Sequence, residues 1–357
     1  MTAVAHYSLA NAYAARGALD EAAAAFEAAL AAHAGYPPAH HGLGQVRLRQ
    51  RRYAEALRCF EAVVDRGFAG LDYGMGVALQ GLGDERGAAR AFRAALVHEP
   101  DRLPALNNLC VALLRAGEPD QAMLAIERYL AHTPTSCKAL AYKAAALQER
   151  GRVDEANALL DFDRLVVRSE LSADTADAAD NAALEALIHH HPSLRYEPTG
   201  KSTRGGRQTG ELLDTAHPAA AALREAIVRA VRAYIAYVQH ALPTHPYTAR
   251  LPKQWRLATW GVVLDPRGHQ LPHFHPDGAI SGVYYVRAPR ALAAPAGWLE
   301  LGRTRDAFGG HAAQRLALIP PHAGTLVVFP SYVYHRTLPF EAAESRISIA
   351  FDVLPAG

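Results

Sequence analysis

The sequence predicts a two-part α+β chain, in which an all-α array of repeated helices precedes a β-rich domain with flanking helices. Alanines recur about every 34 residues through the first half, and short β-branched and aromatic runs bounded by glycine and proline fill the last third. The first pattern is typical of stacked helical hairpins, and the second of a sandwich or jelly roll. We place the repeats at residues 1–165 and the second domain at 166–357, with its β core at about 252–355.

The composition describes a soluble globular protein. Half of the 357 residues are apolar, a fifth are charged, and the formal net charge is +2. This balance favours neither nucleic acid nor a membrane as a partner. No apolar run approaches the ~20 residues of a membrane span, and the N-terminus lacks the pattern of a signal peptide. Cys59, Cys110 and Cys137 are odd in number and widely spaced, which predicts reduced thiols and a cytoplasmic location.

The repeated unit is defined by an alanine and by a bulky apolar residue four positions later. The alanines are Ala22, Ala56, Ala88, Ala122 and Ala156, and the bulky residues are Phe26, Phe60, Phe92, Ile126 and Leu160. A glycine stands five positions before four of these alanines, and Arg51 takes its place in the second unit. The alanine lets two helices approach, the large side chain fills the next groove, and the glycine makes the turn.

These spacings resemble the tetratricopeptide repeat, a helix–turn–helix unit of about 34 residues. The resemblance covers five units, from residue 1 to about residue 165. Such repeats stack into a superhelix, and repeats of this kind often bind peptides on a concave face. The resemblance therefore implies a protein or peptide partner or substrate, and the sequence leaves the oligomeric state open.

The repeat period is lost between residues 165 and 250. Residues 176–188 and 218–242 are predicted helices, the second because its apolar residues recur at three- and four-residue spacing. The glycine-rich stretch 201–210 is predicted as a loop. Its Arg204, Arg207 and Gln208 either hold the loop to the β domain or form a polar wall that binds substrate.

Six short runs predict strands after residue 252. They are residues 257–264, 280–286, 298–301, 316–319, 325–329 and 347–354. Each is rich in β-branched or aromatic residues and is bounded by glycine or proline. Many short strands at this spacing indicate a sandwich or jelly roll.

Three histidines and one arginine in this part form a pattern typical of a metal site. His273 and His275 are two residues apart on an extended segment, which points both imidazoles to one side. His335 can complete one face of an octahedron and leave the opposite face open for a cosubstrate and dioxygen. Arg346 offers a permanently charged fork for a carboxylate. The pattern is suited to holding Fe(II) and a dicarboxylate together.

Five stretches, in this order, resemble the 2-oxoglutarate/Fe(II)-dependent dioxygenase superfamily, and more narrowly its bacterial and phage-associated branch. They are residues 203–210, 272–276, 281–286, 329–331 and 346–348. The resemblance implies a double-stranded β-helix core, with Fe(II) and 2-oxoglutarate as cofactors and O2 as cosubstrate. It implies His273, His275 and His335 as metal ligands and Arg346 as the residue that binds 2-oxoglutarate.

Neighbouring side chains extend this assignment. Ser348 follows Arg346 by two residues, so its hydroxyl lies on the same strand face and can join Arg346 at the carboxylate. Tyr284 and Tyr285 lie on the strand after the first two histidines. Strand alternation places one of them inward, where it could touch the cosubstrate, and the sequence does not decide which.

Two ligand registers compete, because the superfamily's usual pair is His-x-Asp. His273 and His275 give a three-histidine site, which we favour, whereas His275 and Asp277 give two histidines and one carboxylate. His335 is common to both. An aspartate ligand would remove one positive charge from Fe(II), and three neutral imidazoles would leave more charge for an incoming dianion to offset.

The predicted function is that of an Fe(II)- and 2-oxoglutarate-dependent dioxygenase, a hydroxylase whose repeats recruit a protein or peptide. One alternative is a three-histidine cupin-like metal dioxygenase that works without 2-oxoglutarate and has no need of a buried Arg346. Another is a non-catalytic scaffold or sensor that acts through its repeats.

Overall fold

Paired helices build the first of two units, Met1–His132. The computed structural model describes residues 1–63, 70–171, 180–290, 292–304, 308 and 314–356. The helices of this unit are α1 (Ala3–Ala15), α2 (Leu19–Ala32), α3 (Pro37–Arg49), α4 (Tyr53–Glu61), α5 (Leu71–Gly81), α6 (Glu85–His98), α7 (Leu103–Arg115) and α8 (Pro119–His132).

The repeated small and large residues form the core of the helical pairs. The five alanines are at most 3% exposed and the five bulky residues at most 2%. Phe60 packs against Gly44 and Gly74, where an added Cβ would lie 2.5 and 2.6 Å from its ring. These glycines let the ring reach the helix backbone, and the predicted helical repeat is confirmed.

A left-handed residue turns the chain between the two helices of each pair. Gly17, Gly83, Gly117 and Gly151 have φ angles of 78°, 83°, 71° and 66°. Arg51 adopts φ 60° at the matching position. Because Cβ crowds the backbone in this region, at a cost of about 1–2 kcal/mol, Arg51 is strained where glycine is not.

The second unit is Thr133–Gly357, and it begins with a fifth helical pair. Its helices are α9 (Cys137–Glu149), α10 (Val153–Leu160), α11 (Phe162–Leu165), α12 (Asn181–His189) and α13 (Pro218–Ala241), with a 3-10 turn at Thr248–Arg250. Its strands are β1 (Val167–Glu170), β2 (Arg195–Tyr196), β3 (Thr203–Gln208), β4 (Trp255–Gln270), β5 (Ile280–Arg287), β6 (Leu299–Leu301), β7 (Ala317–Ile319), β8 (Thr325–Pro330), β9 (His335–Thr337) and β10 (Arg346–Pro355). No helix in the described part of the chain is both long enough and apolar enough to cross a membrane.

The strands form two antiparallel sheets. The larger has the order β1-β8-β5-β10-β4-β3-β2, and the smaller has the order β7-β6-β9. Long β4 and β10 pair in register from Trp255 with Pro355 to Leu264 with Arg346. After β4 the chain reaches the smaller sheet, where His273 and His335 exchange backbone hydrogen bonds of 3.0 and 2.8 Å. The prediction of helical repeats followed by an antiparallel β domain with flanking helices is confirmed.

The structure corrects one element and refines another. The stretch 201–210 was predicted as a loop, but Thr203–Gln208 is strand β3 and pairs with β4 around a bulge at Gly205, where φ is 59°. At Gly206 an added Cβ would lie 2.4 Å from the carbonyl oxygen of Val263, so glycine is needed where the strands approach. Because Gly205 and Gly206 have no side chains, the alternating pattern typical of a strand is not visible in this stretch. Of the predicted helix 176–188, the structure has α12 from Asn181, and residues 176–179 lie outside the described part.

Tyrosine hydroxyls connect the fifth helical pair to the β domain within the second unit. Tyr332 donates to the carbonyl oxygen of Leu159 at 2.5 Å, and Tyr234 to that of Leu165 at 2.9 Å. Strand β1 then pairs with β8. The compact unit therefore begins at Thr133, ahead of the boundary at residue 165 that the repeat spacing predicts.

Candidate metal centre

Three histidine side chains meet where the two sheets are joined by backbone hydrogen bonds. His273, His275 and His335 each offer a ring nitrogen, and these nitrogens lie within 4.8 Å of one another. The ring centroids are 4.2 to 5.2 Å apart. Imidazole nitrogens so placed can bind one divalent transition metal. No other group of three or more histidine, cysteine or acidic side chains with this spacing occurs among the described residues.

Hydrogen bonds at Nδ1 orient all three rings. Nδ1 of His273 lies 2.8 Å from the carbonyl oxygen of Leu271, and Nδ1 of His335 lies 3.0 Å from that of Val333. Nδ1 of His275 lies 2.5 Å from a carboxylate oxygen of Asp352. An Nδ1–H that donates to oxygen leaves the lone pair on Nε2, which is the form in which histidine commonly binds a metal. The three rings therefore fit a metal bound through Nε2.

Burial keeps the most deeply buried of the three histidines in its neutral form. Desolvation, followed by repulsion from His275, lowers the pKa of His335 to about 3. A neutral imidazole has the lone pair that a metal needs, so His335 does not have to lose a proton before it binds one at neutral pH.

The carboxylate that holds His275 was not predicted from the sequence. Asp352 is 8% exposed and accepts a second hydrogen bond of 2.6 Å from the hydroxyl of Ser281. Asp352 follows Arg346 by six residues on β10, so the two share a strand face. Extending the two-residue alternation from Arg346 through Ser348 would have revealed it.

Arg346 is almost fully buried and has no carboxylate partner among the residues that the structure describes. Its Nη1 lies 3.5 Å from Oγ of Ser348, and its guanidinium carbon lies 4.8 Å from the ring centroid of Tyr285. Nε of Arg346 and the hydroxyl of Tyr285 are buried and have no hydrogen-bond partner within the part of the chain that the structure describes. Desolvation lowers the pKa of Arg346, but arginine keeps its charge in proteins. A buried charge of this kind requires an anionic partner, and a ligand carboxylate would supply it.

Two cavities meet at the histidines. An inner cavity of about 30 Å³ is lined by all three histidines, Arg346 and Ser348, and by apolar side chains. An outer cavity of about 1030 Å³ is lined by His273 and His275, with Trp260 and Gln270 shared between the two. The cluster thus has an enclosed side toward Arg346 and an open side that larger molecules can reach.

Comparison with protein families matches two kinds of module. Residues 258–352 match the family described as "Putative 2OG-Fe(II) oxygenase", and residues 5–69 and 73–136 match two tetratricopeptide repeat families. The chain carries a 2OG-Fe(II) oxygenase-type domain and tetratricopeptide repeats. The oxygenase match includes the three clustered histidines, Arg346 and Asp352. Comparison with curated proteins found no match.

Solved structures similar to parts of the chain are of both kinds. A prolyl-4-hydroxylase from Pseudomonas putida is 17% identical with a TM-score of 0.38, over 56% of this chain and 98% of its own. YrrB, a TPR protein with an unusual peptide-binding site, is 22% identical with a TM-score of 0.42, over 45% of this chain and 85% of its own. MamA is 21% identical with a TM-score of 0.41, over 43% of this chain and 85% of its own.

In the oxygenase-type domain, the structure separates residues that the sequence left as rivals. Asp277 is exposed on the turn after His275, and it lines the outer cavity without joining the cluster. The hydroxyl of Tyr284 donates to Asn181 Oδ1 at 2.7 Å, so this side chain faces α12. Tyr285, on the opposite face of β5, lies beside Arg346.

The three polar residues proposed for substrate binding lie on β3 in different settings. Nη1 of Arg204 donates to the carbonyl oxygens of Lys201 and Thr203 at 2.9 and 2.7 Å. Arg207 pairs with Asp265 at 3.3 Å, and Gln208 is buried and accepts a hydrogen bond from Thr203. Arg204 and Gln208 line the outer cavity, whereas Arg207 is not among its lining residues.

Proposed function

We propose that the chain is an Fe(II)- and 2-oxoglutarate-dependent dioxygenase that hydroxylates a protein or peptide. The observation that carries this proposal is the burial of Arg346, without an anionic partner in the described chain, in the cavity that the three histidines also line. Such a site suits a ligand that binds a metal at one end and carries a carboxylate at the other. A 2-oxo dicarboxylic acid has both features.

Each side chain then has a distinct role. His273, His275 and His335 would hold Fe(II), and Arg346 with Ser348 would bind the far carboxylate of 2-oxoglutarate. The unpartnered hydroxyl of Tyr285 would complete that carboxylate's hydrogen bonds. When bound, Fe(II) and 2-oxoglutarate would supply the oxidative chemistry, in which O2 oxidises the 2-oxo acid to succinate and CO2 and hydroxylates the substrate.

The enclosed cavity strengthens this binding. Val262, Val283, Leu299 and Phe329 line it beside Arg346 and keep water away from the guanidinium. In a less polar medium the attraction between guanidinium and carboxylate is greater than in water. The arginine side would therefore hold the cosubstrate, and the substrate would approach from the outer cavity, past Arg204 and Gln208.

Features outside the histidine cluster support our proposals for the partner and the compartment. The tetratricopeptide repeats would recruit the protein or peptide to be hydroxylated. The described structure has no disulfide, and burial raises the pKa of Cys110 and of Cys137 to about 12, so both thiols stay protonated. These features support the proposal of a reducing, cytoplasmic setting.

A cupin-like dioxygenase without 2-oxoglutarate is the second candidate. It is favoured by one observation, which is that the clustered side chains are all histidines and Asp277 stands apart. The buried Arg346 has no role in that reaction, so we place it second. A repeat scaffold without catalysis is the third.

Iron content and succinate release by the purified full-length chain separate the three candidates. We expect about one Fe(II) per chain and succinate release that requires both 2-oxoglutarate and O2. Iron-dependent O2 consumption without any effect of 2-oxoglutarate would favour the cupin-like reaction. The absence of both iron binding and turnover would favour a scaffold.

Substitutions assign the residues. His335→Ala should abolish iron binding, since His335 belongs to both ligand registers. Arg346→Ala should keep iron and weaken 2-oxoglutarate binding about 30- to 4,000-fold, because cutting one partner of a buried charged pair costs about 2–5 kcal/mol. Arg229→Ala, on the exposed face of α13, is the matched control and should change neither. Arg346→Lys should restore only part of the affinity, since an ammonium lacks the planar fork.

A second pair of variants decides the ligand register. His273→Ala should release iron and Asp277→Ala should retain it if the three-histidine set is correct. The reverse result would establish His275, Asp277 and His335 as the ligands.

A further inference from the structure

Asp352 differs in charge from the acceptors at Nδ1 of His273 and His335. His273 and His335 each direct Nδ1 to the carbonyl oxygen two residues earlier, a neutral acceptor on their own segment. His275 directs Nδ1 to a carboxylate 77 residues away, at 2.5 Å. Nδ1 of His275 therefore has a negatively charged acceptor.

The carboxylate is itself fixed by a buried hydroxyl network. Ser281 Oγ donates to Asp352 Oδ1 at 2.6 Å and lies 2.8 Å from Ser331 Oγ. Ser331 also receives the backbone N–H of His275 at its carbonyl oxygen, at 3.1 Å. Ser281 and Ser331 are at most 1% exposed. Asp352 is thus held by Ser281 of β5, which in turn contacts Ser331 just after β8, while it holds His275.

We infer that Asp352 is a positioning residue of the metal site, which fixes His275 with Nε2 toward the cluster and supplies the negative charge that three neutral ligands lack. The inference rests on the proposed metal site. A carboxylate that accepts from a metal-bound imidazole fixes its tautomer and raises its basicity as a ligand. The charge of a usual aspartate ligand would in this way be placed one imidazole away from the metal.

Asp352 does not itself join the cluster. The three histidines form the group whose ligand atoms converge, and Asp352 is bonded to the outer nitrogen of His275. The strand explains this position, because Asp352 lies beyond Ala350 on the β10 face that Arg346 and Ser348 share. One face of β10 thus carries both Arg346, which would bind the carboxylate of the cosubstrate, and Asp352, which holds His275.

The test measures Co(II) binding by the full-length chain without cosubstrate, through both affinity and the visible absorption of bound Co(II). Asp352→Asn keeps the size and one acceptor oxygen but removes the charge. It should weaken Co(II) binding about 10- to 100-fold and shift the absorption bands. Ser281→Ala is the matched control, since it removes the other hydrogen bond of Asp352 and the 3.2 Å contact of Ser281 Oγ with His275 Nδ1, but leaves the carboxylate on His275. It should change Co(II) affinity less than 3-fold, and the unfolding temperature of the metal-free variants shows that both fold.

The outcomes separate this inference from the proposed function. Wild-type binding that His335→Ala abolishes, together with unchanged affinity and spectrum in Asp352→Asn, overturns the role of Asp352 alone. Equal losses in Asp352→Asn and Ser281→Ala also overturn it, because the network would then be merely structural. Failure of the wild-type chain to bind Co(II) overturns the metal site itself.

Discussion

The cores of the two units differ in what they bury. Of the described residues in Met1–His132, Arg47 is the one polar or charged residue that is buried, amid alanine, leucine and phenylalanine. In Thr133–Gly357 the buried set includes Arg346, Asp352, His335 and Glu300, together with several serines and threonines. Glu300 pairs with Arg303 and Arg336, whereas Arg346 has no such carboxylate among the described residues.

One core is thus almost entirely apolar, whereas the other also buries charged side chains. Buried apolar groups stabilise a fold by leaving water, whereas a buried charge costs free energy unless it is paired. The repeats follow the first rule almost throughout. The β domain departs from it where the histidines and Arg346 meet, and such departures are expected at functional sites.

The largest effect should come from cutting the chain at the end of the repeat sequence. A chain beginning at residue 168 loses Val167 of β1 and leaves the buried hydroxyls of Tyr332 and Tyr234 without their acceptors. We expect it to fail to fold, and a chain beginning at Thr133 to fold and to bind Co(II). Circular dichroism and thermal unfolding compare the two. A cooperative transition in the shorter chain would show that the fifth helical pair is dispensable.

Phe60→Ala tests the apolar core of the first unit. Phe60 is fully buried against Gly44 and Gly74, so removing its ring should lower the free energy of unfolding by about 3–5 kcal/mol. Phe60→Leu, which fills part of the space, should cost less. Hydrogen exchange resolved by unit measures the change, which should be confined to residues before Thr133, and Co(II) affinity should not change.

Arg346→Met should raise the free energy of unfolding, whereas Phe60→Ala lowers it. It replaces a buried, unpaired guanidinium with an apolar side chain of similar length. We expect the metal-free chain to become more stable by about 1–4 kcal/mol, while 2-oxoglutarate binding is lost. Urea unfolding and cosubstrate titration measure the two effects. A loss of stability would mean that Arg346 is part of the structural core, as Phe60 is.

Stability of the metal-free chain should also depend on pH through His335. The pKa of His335 is about 3 in the folded chain and about 6.5 when unfolded, so between these values the unfolded chain binds more protons. The contribution is complete above pH 6.5 and is lost as pH falls toward 3, by about 1.4 kcal/mol per pH unit from this group. Unfolding free energies at pH 7.5 and pH 5.5 measure it. His335→Gln, which does not titrate, should flatten the profile.

The smallest effect belongs to the turn of the second repeat. Arg51→Gly relieves the left-handed strain at φ 60° and should stabilise the first unit by up to about 1 kcal/mol. Arg58→Gly, in the interior of α4, should destabilise it by about 1 kcal/mol. Equal destabilisation by both glycines would show that Arg51 is not strained.

The parts of the molecule that repeat or alternate could be predicted from the sequence. Ala22 and Phe26 recur at the repeat period, and β5 and β10 have runs long enough to be recognised. Strand β3 was missed because Gly205 and Gly206 carry no side chain to show alternation. Asp352 was missed because the alternation along β10 was followed only from Arg346 to Ser348. Its contact with His275, 77 residues away, exists only in the folded sheet.

The boundary between the two compact units also could not be predicted from the sequence, because it depends on contacts made in the folded chain. Ala156 and Leu160 have the repeat pattern, which says how a helix packs but not in which unit it lies. The fifth helical pair is tied to the β domain by hydrogen bonds from the hydroxyls of Tyr332 and Tyr234 to backbone carbonyl oxygens. A sequence pattern does not reveal hydrogen bonds to backbone atoms. Tyr285 was likewise distinguished from Tyr284 only by the observed register of β5 with β10.

The alternation along β10 sets how this site can vary between related chains. Arg346, Ser348, Ala350 and Asp352 share one strand face, and Ile347, Ile349 and Phe351 occupy the other. Deleting or inserting one residue between Arg346 and Asp352 would place these two side chains on opposite faces of β10. One of the two charged side chains would then leave the cavity and lie in the apolar layer. Ala350 can be replaced by another residue type, but the number of residues between Arg346 and Asp352 cannot change. Variants with altered length are therefore to be expected in the turns before Arg346 and not within the strand.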